Sequence, residues 1–227
     1  MSAKAKKENH SSKGPRGGAR DVILQTAERL FAERGLDAVS LRAINAEAGY
    51  SAAALHYHFG TRDELVLEIL KRRVRPLLEL RGQLLTFLEP PVVPEVKQIA
   101  RALVLPMARP IMDDRVAGLR TVNFLFKVFL DPVYHDDVIK MVNASYAIFG
   151  ELLAMALPQL PPEVLLDRWG IASELTFQGL TRIERMPDDC DLNSVVERLI
   201  EFIAGGLSAP YTPTATHPVT PPAQSPR

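Results

Sequence analysis

The sequence predicts an all-α protein, a small helical unit of some fifty residues ahead of a larger helical one. Three observations predict it. Apolar residues recur with helical period over nearly every segment between the two termini. No window alternates apolar and polar residues in the way a strand would. Glycines and capping side chains cut the first third of the chain into short pieces, with Gly35, Gly49 and Gly60 as stops and Ser40, Ser51 and Thr61 as starts. At 227 residues, 47% hydrophobic and 24% charged, the chain can bury a real core.

Residues 1–18 are rich in Gly, Ser and Lys and carry no hydrophobic period, which predicts a disordered basic arm. Ile23, Ala27, Leu30 and Phe31 then fall at i, i+4, i+7 and i+8, one stripe of a helix from about Arg20 to Arg34 that Gly35 closes. Ser40 caps a second helix carrying Leu41, Ile44 and Ala48, which Gly49 stops. Ser51 caps a third, with Ala54, Leu55 and Phe59 inward. After Gly60, Thr61-Arg62-Asp63-Glu64 is a capping box that opens a fourth. Pro76 lies inside that helix and cannot bond to the carbonyl of Arg72, which predicts a kink or an early end. Lys71, Arg72, Arg73 and Arg75, just before it, read as a solvated face. Further helices are predicted over Val93–Met107, Asp113–Leu130, Pro132–Leu157, Pro161–Arg185 and Leu192–Leu207, with Asp131 capping the third of these and Pro132 in its first turn. Residues 208–227 hold 6 of the 18 prolines and predict a disordered tail.

Helices of eight or nine residues cannot stand alone in water, so the first three must share one small core. It is drawn from Ile23, Leu30, Phe31, Leu41, Ile44, Leu55 and Phe59. Gly49-Tyr50 alone joins the second and third. A glycine there turns the chain through positive φ and leaves two helices at a steep angle, the helix-turn-helix arrangement. In that motif the second helix of the pair enters the major groove of DNA.

The run SLRAINAEAGYSAAALHYHFGTRDEL, Ser40 to Leu65, resembles the DNA-binding signature of TetR-type transcriptional regulators. The resemblance covers about residues 20–70. It implies a helix-turn-helix DNA-binding domain over 19–66, joined to an effector-binding and dimerisation domain over 67–207. The implied recognition helix is Ser51–Phe59, with Ser51, Ala52 and Ala53 turned to the bases. Methyl groups touch thymine methyls but cannot hydrogen-bond to guanine, so base reading by hydrogen bond falls to Ser51, Arg42 and Tyr50. His56, Tyr57, His58 and Arg62 match positions that hold the phosphate backbone. Family members often carry a smaller residue where Tyr50 stands and Ala where Asn45 stands. His56 and His58 point about 200° apart on a helix, which argues against a shared metal.

In the larger unit the stretch Asn123–Leu130 is apolar around much of its circumference, which predicts a helix buried on several sides. Its large side chains read either as core or as walls of a ligand cavity. The resemblance implies an effector pocket, and the candidates for its lining are Arg120, Asn123, Phe124, Met141, Tyr146, Phe149, Trp169 and Phe177, with His135, Asn143 and Gln178 as further polar groups. The guest would be mostly apolar. Leu165, Trp169, Ala172, Thr176, Gly179 and Ile183 make one stripe, and Leu192, Val195, Val196, Leu199, Phe202, Ile203 and Gly206 another. In the family the last two helices of two subunits pair as a four-helix bundle, so Ala172, Thr176, Gly179, Ile183, Val195, Val196, Leu199, Phe202 and Ile203 are the expected dimer contacts. A two-fold dimer demands an operator of inverted-repeat type.

The net charge is zero, yet residues 1–75 hold 14 Lys+Arg against 9 Asp+Glu and the rest 13 against 18, so a basic module is joined to an acidic one. One cysteine, Cys190, excludes an internal disulfide and a cysteine-built zinc site. There is no phosphate-binding glycine loop, nucleophile elbow or paired metal motif, and no cofactor is implied. The nearest to acid–base chemistry are Tyr134-His135-Asp136-Asp137 and the acidic Asp188–Asp191, but acidic residues suit a helix start in any case. No apolar run free of charge is long enough for a membrane span, and no secretory signal leads the chain, so a cytoplasmic protein is expected. The reading is a homodimeric repressor released from double-stranded DNA by a small apolar effector. A carrier of apolar ligands without DNA binding, or a small all-α enzyme, is the alternative.

Overall fold

A computed structural model describes residues 18–86 and 93–212. The expected basic arm (1–18), apart from Gly18, and most of the proline-rich tail (208–227) lie outside the described residues. Among the described residues nine α-helices follow in order: α1 Ala19–Arg34, α2 Leu41–Ala48, α3 Ala52–Phe59, α4 Arg62–Thr86, α5 Val96–Asp113, α6 Arg115–Leu130, α7 His135–Ala156, α8 Pro162–Thr181 and α9 Leu192–Leu207, with a 3-10 turn Arg182–Arg185 after α8. There is no strand among the described residues.

The first three helices obey their local signals. The Ser40 and Ser51 hydroxyls accept from the amides of Ala43 (3.2 Å) and Ala54 (3.3 Å). Gly49 turns at φ 73° and its amide closes on the Asn45 carbonyl at 3.0 Å. The Thr61 amide donates to Glu64 Oε2 at 2.7 Å, and the Glu64 amide to Thr61 Oγ1 at 3.2 Å, so the capping box forms. Ile23, Leu30, Phe31, Ile44 and Leu55 are fully buried between the three helices and α4.

From α4 onward several boundaries differ from the reading of the sequence. Helix α4 runs past Pro76 to Thr86, because Val74, Leu77, Arg81 and Leu85 are all buried on its inner face and offset one lost backbone bond. Helix α5 begins at Val96 and carries Pro106 and Pro110 in its interior. It ends in a turn of Asp114 alone, whose carboxylate accepts from the Ala117 amide at 3.0 Å. A Cβ at Gly118 would collide with the Pro110–Ile111 peptide, so this tight corner requires glycine. Helix α7 starts at His135, not Pro132: Asp131 caps only a turn, accepting from the Val133 amide at 2.9 Å, and the Tyr134 ring is drawn into the core. After α8 the chain tightens into the 3-10 turn, where Arg115 donates to the carbonyls of Ile183 (2.7 Å), Met186 (2.6 Å) and Pro187 (2.8 Å).

Helix α5 packs against α4, α6, α7, α8 and α9 and forms the axis of the larger unit. Helix α7 is long and apolar enough, by length and composition alone, to cross a membrane (mean hydropathy 1.3), contrary to the expectation that no segment qualifies. Its buried stripe of Val138, Val142, Phe149, Leu152 and Leu153 packs on its neighbours inside the bundle.

One buried ionic cluster joins the two units. Glu28 of α1 is 3% exposed; Arg73 of α4 grips it with Nε at 2.8 Å and Nη2 at 2.6 Å, and Thr121 Oγ1 of α6 donates to it at 2.9 Å. Arg72 binds Asp21 at 2.7 Å, and Lys127 donates to the Ala32 carbonyl at 2.7 Å. So Lys71, Arg72 and Arg75 are exposed, as the charge run suggests, while Arg73 is half-buried; Arg72 and Arg73 both hold α1. Removing either partner of the buried pair has unequal consequences. Arg73→Met strands a buried carboxylate and should cost about 3 kcal/mol in urea unfolding. Glu28→Gln leaves a half-exposed guanidinium that can reach water, and about 1–2 kcal/mol is expected. Equal losses would contradict the asymmetry.

Candidate nucleic-acid interface and effector cavity

Helix α3 presents one face to solvent. Ser51, Ala53 and His56 are exposed, and Tyr57 is 85% exposed, an unusual position for an aromatic ring unless it meets something. Ala52 opens the helix; its side chain lies outside what the structure describes. His58 is half-buried, edge-on to Tyr57 with ring centres 5.2 Å apart. Arg42 stands exposed on α2, and Tyr50 is half-buried in the turn. Seven of the nine residues named for DNA thus stand on or beside this surface. Asn45 is buried beneath it, with Oδ1 lacking a protein partner.

Arg62 is the exception and a correction. Its Nε donates to the Val39 carbonyl at 3.2 Å, Nη2 to the Leu36 carbonyl, and Nη1 to Tyr134 Oη at 3.4 Å, with the guanidinium 5.7 Å over the Phe31 ring. Tyr134 in turn donates to Asp63 Oδ1 at 2.7 Å, and burial holds its hydroxyl well above its ordinary range. Three of the five N–H donors of Arg62 are thus spent within the protein, two of them on backbone carbonyls. Arg62 fixes the loop between α1 and α2.

An apolar cavity of about 60 Å³ lies between α4, α5, α6, α7 and α8. Leu70, Val74, Leu77, Met107, Leu125, Phe129 and Val138 form much of its wall, and Arg81, Tyr146, Ser173 and Thr176 give its polar atoms. Tyr146 and Phe177 from the expected lining are here. Trp169 and Phe149 sit one layer behind, stacked at 4.3 Å, and Met141 packs on the core without reaching the space. Phe124 is fully buried near Phe31 at the α1–α6 junction, and Arg120 and Asn123 line an open cleft on the other side of α6, so these three are corrected. His135 and Asn143 are exposed, and Gln178 lies on the outer face of α8. The residues missed include four of α4, Leu70, Val74, Leu77 and Arg81. Leu70, Val74, Leu77, Arg81 and Leu85 make one stripe at i, i+4, i+7, i+11 and i+15, and a single arginine in such a stripe was the available signal.

Residues 23–69 match the family described as bacterial regulatory proteins, tetR family. The N-terminal unit is a TetR-family domain. It is similar to that of the HTH-type transcriptional repressor KstR2 of Mycolicibacterium smegmatis, 40% identical over 52 residues, 23% of this chain and 25% of the relative. The KstR2 of Rhodococcus jostii is 41% identical over 56 residues, 25% of this chain and 28% of the relative. The match thus spans about a quarter of the length of these relatives. The whole fold is similar to a TetR-like transcriptional regulator from Rhodococcus sp. RHA1 (TM-score 0.63, 18% identity, covering 87% of this chain and 100% of that one). It is also similar to a transcriptional regulator from Saccharomonospora viridis in complex with choline (TM-score 0.51, 23% identity, covering 82% and 95%).

Behind the TetR-family domain, α8 and α9 divide the residues named for pairing into two sets. Ala172, Thr176, Ile183, Val196 and Ile203 are buried in their own subunit, since each helix turns its more apolar stripe to its own core. That corrects five of the nine. Phe202 is 67% exposed, and Val195, Leu199 and Gly179 are half-buried beside it, with Leu175. A Cβ at Gly179 would meet the Leu199 side chain at 2.6 Å, so this glycine sets the approach of α8 and α9 within the subunit.

Placement of Arg62 on carbonyls leads to a plain expectation. Arg62→Met should lower stability by about 1–3 kcal/mol, through loop carbonyls left unpaired. The slope of random-DNA affinity against salt should stay unchanged, because no phosphate contact is lost. A flattened slope in the folded variant would return Arg62 to the DNA backbone.

Proposed function

We propose that the protein is a homodimeric transcriptional repressor that binds an inverted-repeat operator through α3 and leaves it when a small, mostly apolar effector fills the cavity beside α4. The single observation that carries this reading is the exposed, serine-capped α3 of a TetR-family domain, tied by α4 to the wall of that cavity. Ser51 and Arg42 are the hydrogen-bonding base readers, with Ala52 and Ala53 against thymine methyls and Tyr50 at the edge. His56, Tyr57 and His58 hold the phosphates. The protein works in the cytoplasm, where its DNA lies.

A ligand shifts such an equilibrium only by binding one state better than the other. Here the geometry for that difference is short: Val74, which lines the cavity, follows directly on Arg73, which grips Glu28. A guest that fills or widens the cavity displaces α4 and with it α1 and α3. In a dimer, such a movement spoils the spacing of two recognition helices that must reach successive major grooves. The Saccharomonospora neighbour carries choline, a cation; in this chain Arg81 at the cavity wall disfavours a cationic guest.

Band shifts on genomic fragments selected by the purified protein test the reading. Tyr57→Ala with His56→Ala should weaken operator and random DNA alike and flatten the salt slope, whereas Ser51→Ala should lose affinity mainly at the operator. Retention of no fragment, with ligand binding intact, would instead favour a carrier without DNA binding. The outward patch on α8 and α9 is tested separately. Phe202→Glu should weaken dimerisation by roughly 100-fold in sedimentation experiments, since a charge replaces a central aromatic anchor. An unchanged dimer would move the interface elsewhere.

A further inference from the structure

Arg81 is 4% exposed and lines an otherwise apolar cavity. A guanidinium carries five N–H donors. The protein supplies one long bond, Nη1 to Ser145 Oγ at 3.4 Å, and leaves Nε without a partner. Its other neighbour is the Phe149 ring, 5.4 Å away. Among the described residues no Asp or Glu lines the cavity or pairs with Arg81. Burial pulls its pKa down to about 10, so it is still charged at neutral pH. The same chain shows the usual treatment of a buried charge at Glu28, which receives a bidentate arginine and a hydroxyl. An arginine buried without a carboxylate is costly to fold, and the missing half is an anion.

We infer that the cavity takes an apolar monocarboxylic acid, its hydrocarbon body among the leucine, valine and phenylalanine walls and its carboxylate on Arg81. This rests on the reading of the cavity as the effector site and names the class of effector. A planar fork of N–H donors matches the two oxygens of a carboxylate. The nearby hydroxyls sharpen the choice. Ser173 Oγ donates to the Trp169 carbonyl at 2.9 Å and Thr176 Oγ1 to the Ala172 carbonyl at 2.8 Å, so neither has a proton to offer an anion. Tyr146 does: burial raises its pKa, which keeps the phenol protonated as a donor. The acid therefore finds donors on one side of the cavity only, at Arg81 and Tyr146, and apolar surface elsewhere. At about 60 Å³ the space accepts a small body, roughly five carbon-sized groups, before the walls must move.

The only tryptophan provides the readout. Trp169 stacks on Phe149 at 4.3 Å and lies edge-on to Tyr146 at 5.5 Å, both in contact with the Arg81 site. Titration of the full chain with hexanoate and with phenylpropanoate, against hexanol and hexylamine as size-matched controls, should shift Trp169 emission with at least tenfold tighter binding of the acid than the alcohol and no saturation by the amine. Arg81→Met should bind acid and alcohol equally while melting no lower than the parent, since it relieves a buried charge. Arg81→Lys should keep part of the preference for acid and controls for a methionine variant that fails to fold. The inference is overturned if neither acid saturates at millimolar concentration, if hexanol matches hexanoate in the parent, or if the methionine variant keeps the preference. Failure of the repressor reading is distinguishable. An acid that binds and leaves the operator complex intact overturns release, whereas an alcohol that releases DNA while acids do not bind overturns the assignment to acids.

Discussion

The arrangement depends on a carboxylate buried at the meeting of three helices. Glu28 on α1 is held by Arg73 on α4 and Thr121 on α6, so the unit that carries α3 cannot tilt without disturbing an ion pair whose carboxylate is buried. An ordinary apolar contact would let α1 slide by fractions of an ångström at little cost. A bidentate pair on a buried carboxylate has one good geometry. Whatever α4 does at Arg73 is therefore passed to α1 as a discrete change.

A second tie works beside it. Arg62, at the start of α4, holds the carbonyls of the loop between α1 and α2, and through Tyr134 it reaches the turn before α7. Helix α4 thus grips the small unit at both Arg62 and Arg73, about three turns apart. Among the described residues of the basic N-terminal third, Arg20, Arg29, Arg62, Arg72 and Arg73 all have carboxylate or carbonyl partners. The charge split marks two modules, but these five cations join elements within the protein.

Much of the small unit was legible in the sequence because its signals are local. Ser40, Ser51 and Thr61 can each cap only the residues that follow, and Gly49 turns where nothing else can. Outside it, legibility failed wherever a distant partner decides. Pro76 and Pro106 mark breaks by local rules, yet burial of their helices overrides one missing bond each. The α7 start moved by three residues because Tyr134 answers to Asp63, 71 residues away. The dimer stripes on α8 and α9 were read as outward because period alone does not say which neighbour a stripe faces. Large aromatic residues are the local cue to a cavity wall, while the distinguishing group of this one is a single arginine in the apolar stripe of α4.

That arginine changes how α4 is understood. Along one helix stand Arg73, which has a buried carboxylate, and Arg81, which has none, with Pro76 between them. Proline withdraws one backbone bond at this point, so the segment between Arg73 and Arg81 is the part of α4 that bends at least cost. Strengthening a contact at Arg81 therefore acts through the softest turn of the helix on its most firmly held one. A completed ion pair at Arg81 favours whichever position of α4 brings guanidinium and carboxylate into register, and the Glu28 cluster permits only those positions that keep its own geometry or break it outright. A guest on Arg81 that binds one position of α4 better than another therefore shifts the helix as a whole, by no more than that difference in affinity.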